Sequence, residues 1–277
     1  IWESQNKVIP AAYINLVTNT PLSITAGDRG TVALAQELSV GDDGAIYRIT
    51  ATEANYPENA TAADKKLANL ALLGAKTVLL YKLPPNHTDD HVEAMLAKLK
   101  TEDANVIVYP YLKSTTSAST AQQTIANWVK AMQEEEGKNI TAVLTNYVAD
   151  SQYVINNVQG VTLSDGSTLT AAETGAWIGG VTAGAKITES NTARKFVGAI
   201  DVTPRMTKTE METAIKAGKL ILTVDKSQNV TVVADVNSLT STTQTLGDIM
   251  KQNRSVRTAC GIREDIGTVW DSNIKGK

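Results

Sequence analysis

The only two histidines of this 277-residue chain lie four residues apart, in His87-Thr-Asp-Asp-His91. Imidazoles at that spacing on a helix can share one metal ion, and Asp89 and Asp90 could add carboxylate ligands. The glutamate that serves as general base in metalloprotease helices is missing, and the stretch reads as a polar loop running into a helix start. There Asp89 and Asp90 favour the positive end of the helix dipole and cap its first N–H groups. A second stretch, Asp235-Val-Asn-Ser-Leu-Thr-Ser-Thr242, follows a run of valines and holds one carboxylate among short hydroxyl and amide side chains. Such groups bond local backbone, so the stretch reads as a rigid joint between strand and helix rather than a reaction centre. Gly41-Asp-Asp-Gly44 lacks the alternating oxygen ligands of a calcium loop and the GK[ST] of a phosphate loop, and reads as a turn. No serine sits in a G-x-S-x-G elbow. Cys260, the single cysteine, lies among Thr258, Ala259, Gly261 and Ile262 and is expected to be a small buried core residue. A hydrolase or metal-dependent enzyme on this chain would have to build its site around His87, Asp89 and His91.

Composition narrows the partners. One cysteine precludes an intrachain disulfide and a cysteine-based zinc site. The net charge of -3, with both signs interspersed, gives no basic face for phosphates, so nucleic acid is not expected as a partner. No apolar run reaches the ~18 residues of a membrane helix, so no membrane partner is expected either. The amino end, IWESQNKVIPAAYINL, has no basic stretch followed by the apolar stretch of a secretory signal. At 42% hydrophobic, the chain can bury the core of one large or two medium domains.

The elements that would position these groups fall into three regions. Residues 1–20 contain one alternating run around Tyr13, Ile14, Asn15 and Leu16 with few local partners, which reads as an extended arm. Residues 21–150 alternate strands with amphipathic helices at about 62–73, 88–100 and 119–135. Val92, Met95, Leu96 and Leu99 line one face of the second of these helices. Repeated strand–helix–strand units imply a largely parallel sheet with right-handed crossovers. Residues 151–277 change character to α+β. Asp165-Gly166 centres a hairpin over 161–169, and Thr170 with Glu173 forms a capping box that opens a glycine-rich helix running to 184. Each interior glycine costs up to about 1 kcal/mol relative to alanine, so that helix should be buried against a closely approaching backbone. A capped helix starts at Thr207, and a strand over 220–224 pairs with 230–233. The last helix, about 246–274, sets Val256, Ala259, Cys260, Ile266, Val269, Trp270 and Ile274 on one stripe. The fold class is α/β: a mixed, largely parallel sheet with flanking helices, a hairpin-containing second half and an extended N-terminal arm.

Pro10-Ala-Ala-Tyr-Ile-Asn15, Gly27-Asp-Arg-Gly-Thr-Val-Ala33, Gly74-Ala-Lys-Thr-Val-Leu-Leu-Tyr-Lys82, Asp235-Val-Asn-Ser-Leu-Thr240, Lys251-Gln-Asn-Arg-Ser-Val-Arg257 and Ile274-Lys-Gly-Lys277 follow one another along nearly the whole chain. In that order they resemble the PGVYINF, GxRGxVA, GAxxVLxYR, DINSLT, KNRVIR and YIGK motifs of contractile tail sheath proteins, from bacteriophages, prophages and phage-tail-like bacteriocins. The resemblance implies a structural, non-enzymatic subunit that needs no cofactor. It implies homo-oligomeric rings in a helical array around a tail tube protein, bounded by baseplate and terminator proteins. Contraction would drive the tube through a cell envelope. The protein would belong to a virion tail or phage-tail-like particle assembled in the cytoplasm of the bacterial host. Tyr13, Ile14, Asn15 and Leu16 would add a strand to a neighbour's sheet. Asp235, Asn237, Ser238 and Leu239 would form the signature joint, and Lys251, Arg254, Arg257 and Arg263 would face the tube. Many members carry an outer domain after the position of Lys82, where this chain runs almost directly into a helix, and members continue past YIGK into a small C-terminal segment. The residues alone also leave open an enzyme near His87 and His91, or a non-assembling baseplate or adhesin domain.

Overall fold

The structure, a computed structural model, describes residues 27, 29–112, 120–243 and 247–273. Tyr13, Ile14, Asn15 and Leu16, with the rest of the expected arm, lie outside the described residues.

Strands β1 (Thr31–Glu37), β2 (Ile46–Thr50), β3 (Thr77–Leu83), β4 (Val106–Val108), β5 (Thr141–Thr145) and β6 (Val154–Asn157) are interleaved with helices α1 (Ala62–Leu72), α2 (Asp89–Leu99) and α3 (Thr120–Glu134). The chain continues through β7 (Gly160–Leu163), β8 (Thr168–Leu169), α4 (Ala171–Gly184), β9 (Ala199–Thr203), α5 (Lys208–Lys216), β10 (Lys219–Leu220), β11 (Leu222–Val224), β12 (Val230–Val232) and α6 (Asn253–Asn273). Seven strands form one sheet in the order β10-β6-β5-β4-β1-β3-β2. Every neighbouring pair in it is parallel except β2 with β3, so the sheet is mixed and largely parallel, as the alternating elements imply. All seven residues of β3 are buried, as a strand covered on both faces requires.

Period-two alternation sorts each strand between two cores. Leu34, Leu80 and Val108 share the side packed by α1 and α4. Ala33, Tyr81 and Ile107 share the side packed by α2 and α3, where Val92, Met95, Leu96 and Leu99 complete the layer.

The glycine-rich helix α4 lies between the sheet and α1, and its capping box is formed by Thr170 and Glu173. A Cβ on Gly179 would sit 2.2 Å from Val108 Cγ2, and one on Gly180 would sit 2.1 Å from the Ala71 carbonyl oxygen. Gly180 therefore lets two helix backbones meet, and Gly179 leaves room for the Val108 side chain of the sheet. Trp177 stacks on Phe196 with ring centroids 4.2 Å apart, closing this core towards the small sheet β8-β7-β9.

Four expectations change. The strand expected over 220–224 divides at Ile221: β10 joins the edge of the large sheet, while β11 pairs with β12. The last helix begins at Asn253, because Asp248–Lys251 forms a separate 3-10 turn and Gln252 between them is extended. Its stripe is not buried as a whole: Val256 is, but Ile266, Val269 and Trp270 are more than half exposed. Cys260 is half-buried rather than a core residue, and burial pushes its thiol up from the ordinary value.

Candidate functional site

The histidines do not converge. His91 Nδ1 accepts the Thr88 N–H at 3.0 Å and so caps α2 itself, a part assigned from the sequence to Asp89 and Asp90. His87 is buried and turned the other way. Its Nδ1 meets Glu37 Oε1 at 2.7 Å and its Nε2 meets the Tyr109 hydroxyl at 2.6 Å. The Tyr111 hydroxyl accepts the Glu37 N–H at 2.5 Å. Burial pushes the Tyr111 phenol up to about 12 and raises Tyr109 further. The cluster lies at the carboxyl ends of the neighbouring strands β1 and β4, from which the chain leaves in opposite directions across the sheet, a place where open α/β sheets commonly bind ligands. Here the position is filled: each polar group has a partner within the cluster. Glu37, Tyr109 and Tyr111 are remote in sequence from His87, and no local spacing announces them. Among the described residues, no group of three or more His, Cys, Asp or Glu side chains is placed to hold a metal ion.

The Asp235 stretch gathers more of the molecule. The Asp235 carboxylate is buried and accepts the Asn191 N–H (2.9 Å), Asn253 Nδ2 (2.8 Å) and Arg257 Nη2 (2.9 Å). Its own N–H donates to Thr192 Oγ1 at 3.0 Å. Asn237 donates from Nδ2 to the Met250 carbonyl at 2.7 Å and accepts the Leu239 N–H at 3.1 Å. Ser238 donates its N–H to the Val154 carbonyl and its hydroxyl to the Ser151 carbonyl. Leu239 is buried behind them. Beyond the joint, the N–H groups of Thr240 and Ser241 converge on Asp150 Oδ1 at 2.7 and 2.9 Å. Donors from Ser241 and Thr240 hold the Asp150 carboxyl well below the usual carboxylate range. One carboxylate and two short polar side chains thus tie β6, the 187–192 loop and the start of α6 together. Their donors and acceptors are spent on the protein.

The four cations expected to face a partner separate. Arg257 turns inward to Asp235 and to the Glu189 carbonyl. Arg263 also turns inward, donating to the Gln133 carbonyl at 2.6 Å and bonding Asn139. Lys251 pairs with Asp248 at 2.8 Å. Arg254 is exposed.

A largely parallel sheet, a small-residue helix clamped against it and a polar joint to a final helix make an α/β scaffold whose polar clusters are satisfied within the chain. Residues 86–238 match the family model of the phage tail sheath protein central domain, and the chain belongs to that family. It is similar to the uncharacterised protein YqbK of Bacillus subtilis, 27% identical over 288 residues that cover 98% of this chain and 59% of YqbK. It is likewise similar to the tail sheath protein of Clostridium phage phiCD119, 27% identical over 237 residues that cover 83% of this chain and 64% of that protein. The chain thus spans less than two thirds of the length of these relatives. Among solved structures, the sheath tail protein of Desulfitobacterium hafniense is similar at a TM-score of 0.78 and 26% identity, over 94% of this chain and 83% of that one.

Proposed function

We propose that the chain is a structural subunit of a contractile tail sheath, acting by assembly and contraction rather than by catalysing a reaction. The observation that carries this reading is the match to the sheath central domain over 86–238, on a fold shared with a solved sheath tail protein. The polar clusters agree with it, since the His87 and Asp235 groups spend their hydrogen bonds on the protein. In this reading the subunits form homo-oligomeric rings around a tail tube, between baseplate and terminator proteins. The particle is a phage tail or a tail-like particle assembled in the host cytoplasm.

Tyr13, Ile14, Asn15 and Leu16 supply a strand to a neighbouring subunit, because main-chain hydrogen bonds keep subunits linked through a rigid-body rotation. Asp235, Asn237, Ser238 and Leu239 fix the direction in which α6 leaves the body. Of the cations, Arg254 is the one best suited to a tube contact, because it is exposed while Arg257 and Arg263 are engaged within the chain. The test is electron microscopy and sedimentation of the protein at high concentration, with and without residues 1–20. Rings, tubes or large species that diminish on removal of the arm are expected. Identical monomers in both preparations would overturn the strand-exchange reading.

A further inference from the structure

Helix α6 is held to the body in an unusual manner. Among the helices and strands it packs closely only on the adjoining 3-10 turn Asp248–Lys251, and from the loops the Ile187 side chain comes up against Gly261. Of residues 253–270, only Asn253, Val256 and Gly261 are buried, and Val256 is the single large apolar side chain among them. The attachment is polar instead. Asn253 and Arg257 bond Asp235, the Thr258 hydroxyl donates to the Ile187 carbonyl, and Arg263 bonds Gln133 and Asn139.

Between α6 and the body lies a cavity of about 230 Å³, whose lining includes Asn105, Thr141, Gln152, Thr182, Arg257 and Cys260. Thr182 is only 5% exposed, yet its hydroxyl has no hydrogen-bond partner in the protein. The same holds for Gln152 Oε1 and for Nε and Nη1 of Arg257. Val106, Ala185, Ile187 and Val256 line the same cavity, so its wall is mixed, and the unpartnered donors and acceptors on it are suited to water. The helix itself has little intrinsic stability: Gly261 and Gly267 interrupt it, and Val256, Thr258, Ile262, Ile266, Thr268 and Val269 are β-branched.

We propose that α6 is a latched arm that opens from the body as a separate unit. Its hinge is the extended residue Gln252, and its latch is the Asp235–Asn253–Arg257 cluster together with the backbone bridge from Gln252 to Val236, over a cavity of mixed lining. The body stays folded when it opens, because the sheet and the α1–α4 core take almost nothing from α6. The opening itself does not depend on the sheath reading. Given that reading, the arm is a helix whose direction can change between assembled states while the sheet keeps its shape.

Native-state hydrogen exchange of the whole chain tests the opening. Amides of 253–261 are expected to exchange about 100-fold faster than those of 174–183 in α4, as a unit of low local stability does. Asp235→Asn, which keeps the size of the latch and removes its charge, should speed 253–261 by about tenfold more and leave 174–183 unchanged. Cys260, the only thiol, gives an independent reading on unmutated protein. Its alkylation should depend on urea much more weakly than global unfolding does. If 253–261 exchanges at the rate of α4, or Cys260 alkylation follows the full unfolding slope, α6 opens only with the whole fold and the proposal fails. Equal acceleration of both segments by Asp235→Asn would overturn the latch.

Discussion

Two glycines five residues apart in α4 should respond in opposite directions to the same substitution. At Gly175 an added methyl group would meet its nearest neighbour, Val143 Cγ1, at 3.5 Å, an ordinary contact. Gly175→Ala therefore adds helix propensity without a clash and should stabilise by up to about 1 kcal/mol. At Gly180 the methyl group would lie 2.1 Å from the Ala71 carbonyl oxygen and 2.9 Å from the Ala71 Cα. Ordinary contact begins at 3.4 Å, so the shortfall is 3.4 − 2.1 = 1.3 Å, and the obstacle is backbone that no rotamer change removes. Helices α1 and α4 would have to part by about that distance, loosening the core around Leu67, Leu70 and Val181. Overpacking of this kind costs typically 1–3 kcal/mol, and a backbone obstacle argues for about 3. The gain in propensity offsets about 1 of this, leaving a net loss of about 2 kcal/mol. Urea unfolding followed by circular dichroism measures both variants. Their melting temperatures should move by roughly 2–4 °C up and 4–8 °C down. A Gly180→Ala protein as stable as the parent, or two variants shifting in the same direction, would refute the close-approach account of the glycine-rich helix.

The remaining predictions concern the polar clusters and the second core. His87→Ala leaves the buried Tyr109 hydroxyl and part of Glu37 without partners, and should lower stability by about 2–4 kcal/mol in urea; a loss below about 1 would mean the cluster is not holding the sheet end. The Asp150 carboxyl lies below its unfolded value of 3.8 in the folded protein, so its contribution is full above that pH and is lost as pH falls below it. Asp150→Asn should accordingly be less stable at pH 7 and lose less stability on acidification from pH 4 downward, and parallel pH profiles for the two proteins would exclude this role. Phe196→Ala removes the ring stacked on Trp177 and should cost about 3–5 kcal/mol, with a changed near-ultraviolet dichroism of Trp177; an unchanged spectrum would show that the stack is absent in solution.

The local grammar of this sequence determined a good deal. Continuous apolar runs such as 77–81 gave strands covered on both faces, and the spacing of Val92, Met95, Leu96 and Leu99 gave the face α2 buries. Asp165-Gly166 marked a hairpin turn, and Thr170 with Glu173 marked the start of α4. All of these depend on residues within a few positions of one another, so spacing alone carries them. The glycines of α4 announced a close approach without naming its partner, which is Ala71 on α1 about a hundred residues earlier.

What escaped the sequence depends on distance along the chain. Glu37, His87, Tyr109 and Tyr111 meet because the adjacent parallel strands β4, β1 and β3 end together at their carboxyl ends, and no short window contains more than two of them. The apolar period of α6 was legible, but a period says only which residues share a face. Whether that face meets a core depends on what the fold brings against it, and here the fold brings Asp235, Gln133 and a cavity of mixed lining. Likewise, a basic helix reads as a cationic face until the tertiary structure turns Arg257 and Arg263 inward to satisfy buried acceptors. Sequence determined the elements and their buried stripes because these follow from local spacing and capping. The structure alone decided which polar groups meet, because a buried carboxylate is answered by whichever donor the fold carries to it, however far away that donor lies in the chain.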